Sequence, residues 1–363
     1  MPNFNIIKQT TPKDTFRVKS VVDKFELSTS SIKETFEGDI DIPSEWNIGM
    51  IVGASGTGKT TILNELFSDY EIKEFNFKSD AVINDMPKTA SNSDIHKMFN
   101  SVGFSSPPSW IKPYAVLSNG EKMRVELAYT LLENKEMIVF DEFTSVVDRQ
   151  VAKVGSFAVQ KAVRKQEKKF IAVGCHYDVE EWLMPDWVFD TNTMTMKYNT
   201  RRLDRRPKLN AKIYETANKK HYWKMFSRYH YLSHSLNNAC KMFILEINGE
   251  VAGIEAVLHF PHPKVKNLKK EHRLVIHPDY QGLGLSAFLA ENVAQMFKNN
   301  GFKFNSVTTN PALSFLRNKS KNWKLRRHGR VSSGSGSVHN KNVKGSTSAN
   351  RITMTWEYVG NNG

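Results

Sequence analysis

The amino-acid sequence predicts an α/β chain in two parts: a first domain over residues 1–200 built around a phosphate-binding loop, and an α+β domain with a mixed sheet over residues 201–363. Three observations predict it. GASGTGKTT (Gly53–Thr61) stands between an apolar run and a helix-like run. A second apolar run, MIVFDE (Met137–Glu142), ends in two acids. In the second half an alternating hairpin is followed by a glycine-bearing turn that opens an amphipathic stretch.

In chain order, NIGMIV reads as a short strand and TTILNELF as a helix. The string between them fits G-x-x-x-x-G-K-[ST]. Gly53, Ser55, Gly56 and Gly58 let backbone N–H groups wrap a triphosphate, with Thr61 continuing into the helix. Lys59 reaches the outer phosphates and Thr60 offers a hydroxyl to Mg²⁺. Asp141 is placed to hold Mg²⁺, mostly through water, and Glu142 can polarise an attacking water. A lone His176 follows FIAVGC.

Between these pieces lies LSNGE (Leu117–Glu121), which resembles the signature string of ABC-type ATPases, usually LSGGQ or LSGGE. The resemblance continues in register. SVVD (Ser145–Asp148) resembles the loop after the second carboxylate, and His176 the switch histidine. Ser118 lies 23 residues before Asp141, and Glu142 lies 34 before His176. The resemblance covers residues 1 to about 200 and implies a P-loop ABC-type ATPase domain working as a homodimer. Two heads would sandwich ATP, Lys59 of one meeting Ser118 and Gly120 of the other on the same nucleotide, with His176 at the γ-phosphate. Two departures stand out. Asn119 replaces the second glycine of the signature, and no clear glutamine loop precedes it, only Asn84 and Asp85 offering candidates. Just 59 residues separate Lys59 from Ser118, in the region where transporter heads grip their membrane partners, which argues against a transporter role.

Composition narrows the classes. Apolar content of 40% with 22 Phe and 7 Trp excludes a disordered chain. No run of about 18 apolar residues offers a membrane span. The start lacks the apolar middle of a signal peptide, and Cys175 and Cys240 form no disulfide framework, so a reduced, cytoplasmic location is expected. Net charge is +14, divided as −5 over residues 1–200 and +19 over 201–363. That asymmetry predicts a polyanion partner, DNA or RNA, on the second domain.

Thr195–Asn210 passes from strand-like alternation into a charged segment ended by Pro207, which places the boundary near residue 200. MFILEINGEVAGIEAVLHF (Met242–Phe260) reads as two strands around a turn at Asn248–Gly249. EHRLVIHPDYQGLGLSAFLAENVAQMFKNNGF (Glu271–Phe302) reads as strand, turn and helix. A glycine turn opening a helix presents N–H groups and a positive dipole end to a pyrophosphate. Val331–Asn350 is Ser/Gly/Asn-rich with scattered Lys and is expected to be a basic flexible loop, before a returning strand, RITMTWEYVG.

With the preceding RLVIHPDY, the string QGLGLS resembles the acetyl-CoA loop of the GNAT acetyltransferase superfamily. Gln281, Gly282 and Gly284 fit the loop, and Ser286 departs at its last small position. TTNPALSFLRN (Thr308–Asn318) resembles the segment beside the pantetheine arm, with Asn310 matching and Phe315 close to where a tyrosine acid is usual. The resemblance implies a GNAT-like α+β domain with acetyl-CoA as cofactor. The fusion itself resembles an architecture found in bacteria and phages. SRYHYLSHS (Ser227–Ser235), HFPHP (His259–Pro263) and the Trp323 region resemble phage Mom-type DNA modification enzymes, which alter the exocyclic amine of adenine. An ATPase joined to a GNAT domain also resembles tRNA cytidine acetyltransferases, so RNA stays open.

Nine of the 11 histidines lie beyond residue 200, but no H-E-x-x-H or Cys pair supports zinc. HYWKMFSRYHYLSHS (His221–Ser235) mixes aromatic rings with Lys224 and Arg228, a composition suited to an unstacked base or to a core helix. His230 and Tyr231 are the candidate base or orienter for an amine. The expected activity is an ATP-dependent nucleic-acid-modifying acyltransferase. The alternatives are a clamping ATPase with a non-catalytic tail and a protein N-acetyltransferase.

Overall fold

A computed structural model describes residues 3–27, 32–70, 75–133, 135–199, 209–230, 235–330 and 352–360. The chain divides into two compact units, residues 1–75 with 133–205, and residues 76–132 with 206–363. The stretch 76–132, read from sequence as part of the first domain, thus groups with the second half.

The first unit begins with β1 (Asn3–Thr10), α1 (Phe16–Lys24) and β2 (Ile32–Asp39), the strands forming a separate antiparallel pair. Then come β3 (Ile48–Val52) and α2 (Lys59–Phe67). The chain leaves for the second unit through α3 (Asn92–Ser101), α4 (Pro107–Trp110) and α5 (Asn119–Leu132). It returns as β4 (Met137–Phe140), α6 (Arg149–Gln166), β5 (Lys169–Gly174), α7 (Val179–Leu183), β6 (Trp187–Asp190) and β7 (Thr195–Tyr198). These strands order β4-β5-β3-β6-β7, all parallel but the last. Every residue of β3 is buried, as expected for a central strand covered on both faces. Trp46 and Trp187 pack edge to face at 5.4 Å, and Gly49 leaves the room: a Cβ there would lie 2.1 Å from the Trp187 ring.

The rest of the second unit holds β8 (Ala211–Thr216), α8 (Lys219–Phe226), β9 (Lys241–Ile247), β10 (Glu250–His259), β11 (Leu268–Ile276), α9 (Leu285–Asn299), β12 (Lys303–Thr308), α10 (Pro311–Lys319), β13 (Trp323–Arg330) and β14 (Ile352–Tyr358). Its seven strands order β13-β14-β12-β11-β10-β9-β8. Only β11 and β12 run parallel, and they pair over just Leu268–Lys270 against Lys303–Asn305 before separating. The β9–β10 hairpin turns at Asn248 and Gly249 with φ of 53° and 91°, the pair of left-handed residues that an Asn-Gly turn supplies. The returning strand, β14, inserts between β13 and β12. The basic stretch 331–350 lies outside the described residues. The mixed α/β class expected from the sequence is the class observed.

One face of this sheet is closed by α8. Its Trp223 and Phe226 join Met242, Ile244, Ile254, Ala256 and Val275 in a buried cluster. These two rings therefore build core and do not present a stacking surface; the amphipathic spacing of the helix had left both uses open.

Candidate functional site

In the first unit the site forms where parallel strands end. Such ends, with helix N-termini above them, are where α/β sheets bind ligands. The loop after β3 turns through Gly56 and Gly58, at φ of 84° and 85°, before α2 starts at Lys59. Phe36 of β2 packs at Gly58, where a Cβ would come within 2.5 Å of its ring. Glycine is required there twice over, by φ and by space. The Lys59 side chain is buried and its Nζ donates to the carbonyls of Gly53 at 2.9 Å and Ala54 at 2.7 Å. Both bonds are charge-assisted, the donor being an ammonium, and they hold Lys59 over its own loop.

Thr60 Oγ1 donates to Asp141 Oδ2 at 3.1 Å, so the two residues expected at Mg²⁺ meet directly. Asp141 Oδ1 accepts from the Glu142 backbone N–H at 2.8 Å. Glu142 is exposed and left-handed, at φ 53°. The Phe143 N–H donates to the Val173 carbonyl at 2.8 Å, tying this turn to the end of β5, two residues before Cys175 and three before His176. Lys59, Thr60 and Asp141 are thus in one constellation, with Glu142 and His176 at the ends of adjacent strands. Two protein oxygens suit Mg²⁺, which keeps waters and takes phosphate oxygens. Thr61 follows in α2, while Ser55 belongs to the loop itself.

Ser118 and Gly120 belong to the second unit. Ser118 begins a capping box: its N–H and Oγ both donate to Glu121 Oε2, at 3.0 and 3.1 Å, and the Glu121 N–H returns to Ser118 Oγ at 3.3 Å. Asn119 is the first residue of α5. The proposed glutamine-loop substitute Asp85 is spent locally, its carboxylate accepting from Ser79 N–H and Oγ and from Lys78 N–H.

The second site lies between β11 and α9. Gly282 and Gly284 are left-handed, at φ of 91° and 81°, and Gly284 caps α9. A Cβ on Gly284 would meet nothing within 4 Å, so the N-cap of this 15-residue helix opens onto free space. The first N–H groups of a helix have no intrahelical partner and accumulate partial positive charge, which fits a pyrophosphate. Ser286 sits in that first turn. Gln281 is occupied differently from expectation. Its Oε1 accepts from the Ser105 N–H at 2.7 Å and its Nε2 donates to the Ile276 carbonyl at 3.0 Å. Asn310 is the N-cap of α10, its Oδ1 accepting from Ala312 and Leu313 N–H. Phe315 is 53% exposed on α10.

His230 is buried at 7% exposure, its ring 5.9 Å from Trp223; Tyr231 lies outside the described residues. Sequence reading missed the group beside it. Tyr229 Oη lies 3.3 Å from His277 Nε2, and His277 Nδ1 lies 3.4 Å from Asp279 Oδ2. Burial holds the His277 imidazole below its usual range, aided by Arg228 and Arg124 and opposed by Asp279. His272 is pushed down to about 4 by burial and by Arg273 and Lys270, and its Nε2 accepts from Asn237 N–H, so it is neutral at pH 7. The signal that could have found His277 was the HPDY run itself.

Also missed was Glu255 on β10. It is fully buried, and neither carboxylate oxygen has a hydrogen-bond partner among the described residues. Burial raises its pKa well above the carboxylate range, Glu271 adds to this and Arg317 opposes it. Glu271 accepts from Ser306 Oγ at 2.7 Å and from Arg317 Nη2 at 2.8 Å, and Arg317 stacks 4.6 Å over Trp323. Burial thus disfavours the charged form of Glu255 beside the Glu271–Arg317 ion pair. Among the described residues no group of three His, Cys, Asp or Glu is arranged to hold a metal ion, and no helix is long and apolar enough to cross a membrane.

Residues 177–317 match the model of the Acetyltransferase (GNAT) family. The GNAT match takes in the hairpin, β11, the Gln281–Ser286 loop, α9 and most of α10, and spans less than half of the chain. A search of curated proteins finds no match. Solved structures similar to the chain fall into two groups. One is a dimeric bacterial ABC transporter cassette, at 16% identity over 43% of this chain and 87% of that one, TM-score 0.35. Another is the ribosomal-protein-S18-alanine N-acetyltransferase from Escherichia coli, at 15% identity over 42% of this chain and 97% of that one, TM-score 0.31. An acetyltransferase from Bacillus cereus matches at 14% identity over 41% of this chain and 99% of that one, TM-score 0.30. Likeness at this level carries no mechanism; the loops and strand ends above do.

Proposed function

We propose that the protein is an ATP-dependent acyltransferase that modifies an amine of a nucleic-acid base, with acetyl-CoA as donor. The observation that carries this reading is the presence of two glycine turns in one chain, each opening a helix through left-handed glycines: Gly56–Gly58 before α2 and Gly282–Gly284 before α9. The GNAT match supports acetyl-CoA at the second, and the Lys59, Thr60 and Asp141 geometry supports Mg²⁺ and ATP at the first.

In this reading Lys59 would hold the outer phosphates, and Thr60 and Asp141 would hold Mg²⁺, which would neutralise phosphate charge there. Glu142 orients water for hydrolysis, with His176 near the terminal phosphate. A homodimer would complete each nucleotide site with Ser118 and Gly120. In the second unit the α9 N-terminus holds the cofactor pyrophosphate. Acetyl-CoA bound there supplies an activated thioester carbonyl. A base near Tyr229, His230 and His277 takes the amine proton as the acyl group transfers, and the departing thiolate is protonated. The excess of 28 Lys and Arg over 9 Asp and Glu beyond residue 200 supports a polyanion as acceptor.

Incubating the purified chain with radiolabelled acetyl-CoA and Mg-ATP, against DNA, tRNA or a protein mixture, tests it. Label in DNA or RNA is the expected result. Label only in protein overturns the nucleic-acid assignment, and acetyl-CoA binding without transfer to any acceptor leaves the non-catalytic clamp. That second reading has one observation in its favour, the exposed Phe315 close to where the family places a tyrosine acid.

A further inference from the structure

Residues 76–132 touch the cofactor loop and the turn before it through neighbouring contacts. The turn after α3 lays Gly103 against Gln281 so closely that a Cβ would sit 2.5 Å from the Gln281 carbonyl oxygen. Gly103 has φ of +85°, so both its conformation and its missing side chain make this approach possible. The next residue but one, Ser105, donates its N–H to Gln281 Oε1 at 2.7 Å. Beside Gly103, with its Nε 3.5 Å from where that Cβ would sit, Arg124 of α5, only 1% exposed, reaches within 3.9 Å of Asp279, two residues before Gln281. Asp279 leads on through His277 to Tyr229, next to His230.

The far end of this contact is the signature string. α5 begins at Asn119, and Arg124 is fewer than two turns along the same 14-residue helix. At that N-terminus Ser118 Oγ is held by Glu121 Oε2, while Glu121 Oε1 accepts from Ser109 Oγ at 2.8 Å in α4. A phosphate that engages Ser118 must compete with Glu121 for this hydroxyl. Releasing Glu121 frees the tie between α4 and α5; α4 follows the Gly103–Ser106 turn directly, and α5 reaches it through Arg124. A helix moves as a rigid rod, so displacement at one end is delivered at Arg124.

We propose that residues 76–132 regulate the cofactor loop: nucleotide engaging Ser118–Gly120 shifts α5, and the shift resets the Gln281–Ser286 loop through Arg124–Asp279 and Ser105–Gln281. The proposal rests on reading Ser118–Gly120 as a nucleotide contact and Gln281–Ser286 as the acetyl-CoA loop. ATP and acetyl-CoA then bind with mutual linkage, and linkage is reciprocal by thermodynamic necessity.

Calorimetric titration of the full chain with acetyl-CoA, with and without Mg²⁺ and a non-hydrolysable ATP analogue, tests this. The expected result is a change in acetyl-CoA Kd of at least about fivefold between the two conditions, with the same factor in the analogue's Kd when acetyl-CoA is present. In Asp279→Asn and in Gly103→Ala both ligands should still bind while the linkage falls below about twofold. Retained binding of both ligands, acetyl-CoA above all, reports that each variant is folded. Two independent binding events in the wild type, or full linkage in both variants, overturn the proposal and leave the functional reading intact. Absence of acetyl-CoA binding, or of analogue binding, in the wild type overturns the functional reading and this proposal with it.

Discussion

Gly284 gives the cofactor reading its sharpest test. Replacing it with Glu changes two things that can be separated by a Gly284→Ala control. The first is conformational: at φ 81° and ψ 13° any L-residue costs about 1–2 kcal/mol in the left-handed region. That cost falls on folding and is shared by the free and bound states, so it largely cancels in affinity. No steric cost adds to it, since an added Cβ meets nothing within 4 Å. The second is charge. A carboxylate about 4 Å from a pyrophosphate oxygen, at an effective dielectric of about 20, opposes binding by roughly 4 kcal/mol. At about 1.4 kcal/mol per decade this is on the order of a thousandfold in Kd. Calorimetry with acetyl-CoA on wild type, Gly284→Ala and Gly284→Glu reads it directly. Salt should narrow the gap, because exposed charges are screened within about 10 Å at 0.1 M. Glu and Ala variants that bind within about tenfold of each other would refute the placement of the pyrophosphate at this loop.

Other expectations follow from the same geometry. Lys59→Ala should abolish ATP binding, whereas Glu142→Gln should keep binding, slow hydrolysis about a hundredfold or more and accumulate an ATP-dependent dimer by light scattering; wild-type turnover in Glu142→Gln would discard the water-polarising role. Gly49→Ala drives a methyl into the Trp187 ring and should cost upward of about 3 kcal/mol in urea unfolding, with an unchanged midpoint counting against the packing described. Because the folded-state pKa of Glu255 is raised, its contribution to stability is complete below the ordinary carboxylate range and is lost as pH rises through the raised value. Glu255→Gln should flatten the alkaline arm of the stability profile, and identical profiles would show that Glu255 does not titrate there.

The parts legible in the sequence are those where neighbours along the chain make the structure. The loop from Gly53 to Lys59 closes on itself, and the Asn248–Gly249 turn needs only its two left-handed residues. Glu255 was illegible because alternation along β10 assigns a charged residue to water, whereas residues 252–257 of that strand are buried without a break. Trp223 and Phe226 were ambiguous for the converse reason, since a helix face rich in aromatics serves core and ligand alike. Gln281 matched its motif, yet its amide is engaged by a residue 176 positions away, a partnership no local pattern encodes. The assignment of 76–132 to one half or the other is likewise decided by tertiary contacts such as Arg124–Asp279.

The left-handed backbone of Glu142 has an evolutionary consequence. An exposed glutamate held at φ 53° carries a conformational cost that glycine would relieve at once. Gly at this position should therefore raise the melting temperature while deleting the carboxylate to which the proposed mechanism gives the orienting of water. A selection for robustness alone would drift toward that sequence, and a selection for turnover would reject it. If the proposed role holds, the residue is a point where the chain folds less well than it could in exchange for turnover.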